Sequence, residues 1–291
     1  MDPLSLYEET GSETLQPIPP FWLHLVGDSN TRNLFMHMKL ALSKNAKLRC
    51  AEAGESPFRK HKLAIQVCYI DSPSTRFLVT YSTWFLENTT PDAHHFSFEG
   101  ATPNLHRLHL SVGTALGEWL AQCDQTDHPL VPNFLPPTWT SVPEWALLRP
   151  NYTWLAFGSH AEELSYTGVN VSVTAALDKI KDALHDDSRS FLFPAVPPVR
   201  EQFIAEHFPA QELVRNDPRI EAYNFQLEQL LNEKKAIGPK CVGHARGVYF
   251  DTFTMLRGVG TEVGRLNDGV HFVDAVYQAW VSILWTDMKS H

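Results

Sequence analysis

An α/β fold, a three-layer α/β/α sandwich around a central and mostly parallel sheet, is what this sequence predicts, and three observations predict it. Short apolar runs rich in β-branched and aromatic residues recur along the chain, segments of helical periodicity lie between them, and several runs end in a small or polar turn. Elements of this kind pack as a sheet covered by helices on both faces. In such sheets chemistry gathers at the carboxyl ends of the strands.

The chain has 291 residues and 43% hydrophobic content, enough for one large domain. Residues 1–20 carry Pro3, Pro17, Pro19 and Pro20 with little apolar content and read as an extended tail, so a single domain is expected over 21–291. Phe21 to Val26 is the first strand. It runs into Gly27-Asp28-Ser29-Asn30, after which Leu34, Phe35, Met38 and Leu42 share one helical face. Arg76 to Leu86, with Phe77, Val79, Tyr81, Trp84 and Phe85, is bounded by turn residues on both sides and reads as a second strand. A polar loop from Pro91 to Gly100, a helix over Leu108 to Leu120 and an extended, proline-rich excursion from Pro129 to Pro143 follow. Tyr152 to Phe157 is a third strand ending in Gly158-Ser159-His160, and Ser190 to Val196 a fourth. Between Pro218 and Glu233 the residues Ile220, Tyr223, Leu227 and Leu230 give a helix its core face. Gly247 to Phe253 is a fifth strand, Gly258 to Gly264 a flexible loop, and Val273 to Met288 an amphipathic closing helix.

Charge and composition exclude several classes. A net charge of −9, with basic residues clustered only in short patches such as Arg59 to Lys62 and Lys234 to Lys240, argues against a nucleic-acid footprint. No stretch approaches the roughly 20 apolar residues of a membrane span. The acidic, polar start is unlike a secretory signal, so a cytoplasmic setting is expected. Sequons at Asn88, Asn151 and Asn170 would be glycosylation acceptors were the chain to enter a secretory lumen. Cys50, Cys68, Cys123 and Cys241 have no metal-like spacing and read as buried thiols or as at most two disulfides. His94, His95, His106 and His109 lack partner carboxylates or cysteines at ligand spacing, and the Gly258 to Gly264 stretch lacks the Lys-Ser/Thr ending of a phosphate loop. No metal and no cofactor are therefore expected. The tryptophans Trp84, Trp139, Trp145 and Trp154 are core by default, although one or two near strand ends could stack on a sugar ring.

Two motifs carry chemistry. Ser29 stands where a strand turns sharply into a helix, near the positive end of the helix dipole, which favours a developing oxyanion. By itself a Gly-Asp-Ser turn is an ordinary helix cap. More than two hundred residues later, Asp268 and His271 stand three apart before the last helix. In an Asp-x-x-His turn the carboxylate can hold one imidazole nitrogen while the other faces a serine.

Gly27-Asp28-Ser29-Asn30-Thr31-Arg32 resembles the GDSxxR block, and Asp268-Gly269-Val270-His271 the DxxH block, of the SGNH (GDSL-like) hydrolases in their PC-esterase branch. That branch includes the plant trichome-birefringence-like polysaccharide O-acetyltransferases, the sialate O-acetyltransferase domain and the neurexophilin and PC-esterase proteins. Phe77 to Leu86 and Tyr152 to His160 are similar to its middle blocks, so the resemblance spans Phe21 to Met288. It implies transfer or hydrolysis of a small acyl group, usually acetyl, on a sugar hydroxyl through an acyl-serine intermediate. Ser29 would be the nucleophile, His271 the base and then the acid, and Asp268 the orienting carboxylate. Asp28 belongs to the nucleophile block, and Arg32 would donate to the oxyanion or pin the loop. Where the wider group carries an oxyanion-donating Asn, this chain has Gly158-Ser159-His160-Ala161; His160 could donate from there or stand as a polar wall. Gly100 is the candidate for the remaining oxyanion glycine. The polysaccharide acetyltransferases of the branch are usually membrane-anchored or lumenal, and no span or signal is seen here, which leaves the glycan substrate more open than the chemistry. A small-molecule or glycan ester is the expected partner. Two further readings remain: a catalytically silent SGNH-like module binding a glycan or a protein, and an enzyme acylating or deacylating a small metabolite.

Overall fold

The chain's structure, a computed structural model, describes residues 20–52, 65–72, 75–83, 112–123, 145, 147–157, 166–207, 216–238, 247–259 and 271–289. The expected tail up to residue 19, the polar loop at 91–100 and the excursion at 129–143 lie outside these residues, as do the four histidines weighed as metal ligands, Trp84 and Trp139. Pro20, assigned to the tail, is buried where the first strand begins.

In chain order the described strands are β1 (Phe21–Gly27), β2 (Arg49–Glu52), β3 (Ile65–Ser72), β4 (Thr75–Thr83), β5 (Tyr152–Leu155), β6 (Ser190–Pro194) and β7 (Val248–Phe250). The described helices are α1 (Ser29–Leu42), α2 (Leu116–Cys123), α3 (Tyr166–Lys179), α4 (Lys181–Leu184), α5 (Glu201–His207), α6 (Asp217–Glu233), α7 (Thr252–Val259) and α8 (Asp274–Lys289). The strands form one seven-stranded sheet in the order β2-β3-β4-β1-β5-β6-β7. β4, β1, β5, β6 and β7 run parallel, while β2, β3 and β4 form an antiparallel meander at one edge. The predicted α/β sandwich with its mostly parallel sheet is thus the observed architecture. β1 is central and the chain leaves it first for one side of the sheet and later for the other. Its carboxyl end is therefore the switch point at which a cleft opens in such folds.

β1 is buried on both faces, and its successive side chains point into opposite layers. Leu23 and Leu25 face α1 and α8, where Leu34, Phe35, Met38, Trp280, Leu284 and Trp285 are all buried. Val26 faces the opposite layer, where α3, α4, α5 and α6 bury Leu177, Leu184, Ile204, Ile220 and Leu227. Trp22 meets Trp119 of α2 and Trp145 on that same side of the sheet. The helical face read in α1 is the buried one; in α6 it is shifted by one residue, with Leu231 fully buried and Leu230 only packed at its margin.

Several expectations are corrected. The second strand starts at Thr75 and, as described, ends at Thr83; the third ends at Leu155, ahead of Phe157. In the segment read as one helix over 108–120, Val112 and Gly113 have π-helical backbone, Thr114 and Ala115 break it, and α2 runs from Leu116, while 108–111 lie outside the described residues. The fifth strand is confined to Val248–Phe250, because Asp251 Oδ1 accepts from Thr254 N at 2.9 Å and starts α7, which takes in Gly258. β3 was not read from the sequence: Val67 and Cys68 are buried on opposite faces, so the strand shows no polar alternation. α3 was missed because Gly168, Val169, Val171, Val173 and Thr174 have weak helix propensity.

Cys50 and Cys68, opposite one another in the β2–β3 pairing, form a disulfide. Cys241 and the side chain of Cys123 lie outside the described residues. Asn151, the one sequon asparagine whose side chain is described, accepts from Trp22 N through Oδ1 at 2.8 Å, so it pins β1 to the start of β5. Among the described residues no helix is long and apolar enough to cross a membrane.

A polar row crosses the centre of the sheet, where His24 lies between Thr80 and Thr153 in register. His24 is fully buried; its Nδ1 is 2.6 Å from Thr80 Oγ1, which also accepts from Trp22 Nε1 at 2.7 Å. Nearby, buried Arg189 donates through Nε to Pro150 O at 3.0 Å and through Nη2 to Val112 O, tying together the entrances to β5 and β6.

Candidate active site

The turn after β1 is built by its glycine and its aspartate. A Cβ on Gly27 would sit 2.3 Å from Thr31 Oγ1 and 2.9 Å from Ala156 Cβ, so only glycine lets α1 start this close to the sheet. Asp28 is 3% exposed, and its Oδ1 accepts from Asn30 N at 2.9 Å and Thr31 N at 3.3 Å, the side-chain cap of α1. The Tyr81 hydroxyl on β4 donates to the carbonyls of Gly27 and Asp28, at 3.3 Å and 3.2 Å, and holds the turn from the side. Asp28, counted among the oxyanion and substrate candidates, thus caps α1 through one of its two carboxylate oxygens. Substituting Gly27 by alanine is expected to destabilise the protein by about 2 kcal/mol, because the clash falls on Thr31 and Ala156 rather than on a flexible tip. Urea unfolding of Gly27→Ala beside the wild type measures it.

Ser29 is the first residue of α1 and is half-buried. His271 precedes α8, and its Nε2 is 2.8 Å from Ser29 Oγ across a sequence separation of 242 residues. With Nε2 unprotonated, the serine hydroxyl donates to it, which is the arrangement proton abstraction requires. The cap takes the N–H groups of Asn30 and Thr31 and not that of Ser29, which points off the helix terminus. Arg32 lies one turn further along α1 and is exposed. Asp268, Gly100, Gly158 and His160 lie outside the described residues. Of the tryptophans weighed as stacking platforms, Trp145 and Trp154 are core residues, each 2% exposed.

Two residues of this site were not singled out from the sequence. Asn30 is buried beside Ser29 and accepts from the Tyr277 hydroxyl through Oδ1 at 2.7 Å. Tyr277, on α8, also accepts from Phe272 N at 3.3 Å. The only sequence signal for either was proximity to a motif, since Tyr277 falls on the apolar face of α8 and reads there as core.

No family model and no curated protein matches this chain. Among solved structures it is similar to the lipase/acylhydrolase from Enterococcus faecalis, with 10% sequence identity and a TM-score of 0.45, over 93% of this chain and 96% of that one. At this identity and score the functional reading rests on the chain's own residues.

Proposed function

We propose that the chain is a serine-dependent O-acyl esterase or acyltransferase of the SGNH type, working through an acyl-serine intermediate. The observation that carries this reading is the 2.8 Å contact between Ser29 Oγ and His271 Nε2 at the carboxyl end of β1. In the first step Oγ attacks the acyl carbonyl as its proton passes to Nε2. The tetrahedral oxyanion is met by the Ser29 N–H at the positive end of α1, with the Arg32 guanidinium as a second donor. Collapse expels the alcohol, which takes the proton from His271. Water or an acceptor hydroxyl then attacks the acyl-serine, giving its proton to the same nitrogen, and Ser29 leaves with that proton restored. Asp268, three residues before His271, is assigned to the other imidazole nitrogen. Acetyl is the acyl group and a carbohydrate hydroxyl the acceptor that the GDSxxR and DxxH motifs favour.

The Cys50–Cys68 disulfide supports residence in an oxidising compartment rather than the cytoplasm, because such bonds persist where thiols are not kept reduced.

The test is direct. The wild type is expected to turn over p-nitrophenyl acetate and to be labelled by a fluorophosphonate probe, and Ser29→Ala to do neither. Absence of both from the wild type, or labelling that survives in Ser29→Ala, rejects the reading.

A further inference from the structure

We propose that Tyr277 is a positioning residue whose hydroxyl sets the Ser29–His271 distance, an inference that rests on the serine-esterase reading above. Ser29 and His271 belong to different elements, α1 and the segment before α8. Their immediate neighbours in sequence, Asn30 and Phe272, bond to one and the same oxygen. The Tyr277 hydroxyl accepts from Phe272 N at 3.3 Å and from Asn33 Nδ2 at 3.1 Å, and stands 2.7 Å from Asn30 Oδ1. A phenol has two lone-pair sites and one proton. The two N–H donors fill the first, so the proton goes to Asn30 Oδ1, and the three bonds fix both the hydroxyl and the orientation of the Asn30 amide.

The ring that carries this oxygen is itself held. His37 of α1 stacks on it with centroids 5.3 Å apart and planes 14° apart, while Phe272 and Trp280 meet it edge-on at 6.0 Å and 5.6 Å. His37 Nε2 is in turn 3.4 Å from Asp274 Oδ1 at the start of α8. Tyr277 is 1% exposed, so its bonds are shielded from competing water. Loss of the hydroxyl leaves the ring and its packing but cuts the link between the residue after the nucleophile and the residue after the base. A displacement of about 1 Å between reacting groups costs about a hundredfold in rate.

The test uses Tyr277→Phe, Asn30→Ala and the double variant in the full chain, with p-nitrophenyl acetate turnover and fluorophosphonate labelling rates as readouts. Each single variant is expected to lower kcat by about 10- to 100-fold with KM within about twofold of the wild type. The double variant is expected to be no worse than the poorer single one, because both changes cut the same link. If Tyr277→Phe does not fold, Asn30→Ala carries the same expectation alone. A kcat within about twofold of wild type in a folded single variant, or losses that multiply in the double variant, overturns the proposal while leaving the serine-esterase reading intact. A wild type silent to both reagents overturns the two together.

Discussion

Replacing His271 by glutamine is expected to lower kcat for p-nitrophenyl acetate by about 10⁴-fold or more, with little change in stability. The hydroxyl of Ser29 is a weak nucleophile until a base takes its proton, and Nε2 at 2.8 Å is the group in reach. Glutamine can still bond to Oγ, so the geometry of the turn is kept and the base alone is removed. What survives is the contribution of the α1 terminus and of substrate binding, which amounts to a modest acceleration over water. Because His271 is only half-buried and its anchor is the buried Phe272 beside it, thermal unfolding should stay close to that of the wild type. Steady-state kinetics with circular-dichroism melting on the same samples checks both halves. A kcat within about tenfold of the wild type would remove His271 from the mechanism.

The second large effect concerns the other face of the sheet. Burial holds His24 down to about 3, Arg189 adds to the depression, and the hydrogen bond to Thr80 opposes it. In the unfolded chain the same imidazole titrates near its ordinary value, so between about pH 3 and pH 6.5 the unfolded state binds a proton that the native state refuses. Stability from this group is therefore complete above the unfolded value and is lost as the pH falls through that window. From pH 7 to pH 5 the loss is about 2 kcal/mol, growing by about 1.4 kcal/mol for each further unit until His24 itself protonates. Urea unfolding at pH 7 and pH 5 reads it, with His24→Leu as the comparison. The variant removes the titrating group and should lose less stability than the wild type over the same interval by about that 2 kcal/mol. Equal losses in the two proteins would refute the assignment.

How much of this was legible in the sequence depended on the kind of signal each segment carried. β1 and α1 were readable because Leu34, Phe35, Met38 and Leu42 repeat at helical spacing directly after a glycine-bearing turn. Of the edge meander only β4 was, since β3 buries side chains on both faces and local polarity gives no hint of an antiparallel partner. α7 was lost to a strand and a loop because its start is a side-chain cap by Asp251, a signal weaker than the apolar run preceding it. Within the candidate site, the motif residues Ser29 and His271 could be named in advance, and the structure gives the distance between them. Asn30 and Tyr277 could not, because their significance lies in a hydrogen bond between residues 247 positions apart. The cysteine pair shows the same limit: four scattered thiols leave the pairing open, and only strand register makes Cys50 and Cys68 neighbours.

The spacing of 242 residues between hydroxyl and imidazole has a consequence for the protein's own synthesis. Ser29 is synthesised 242 residues before His271, so under the proposed mechanism its hydroxyl has no base until the later segment is made. Under that mechanism reactivity would require α8 to dock beside α1, which ties chemical competence to the packing of these two helices on one face of the sheet.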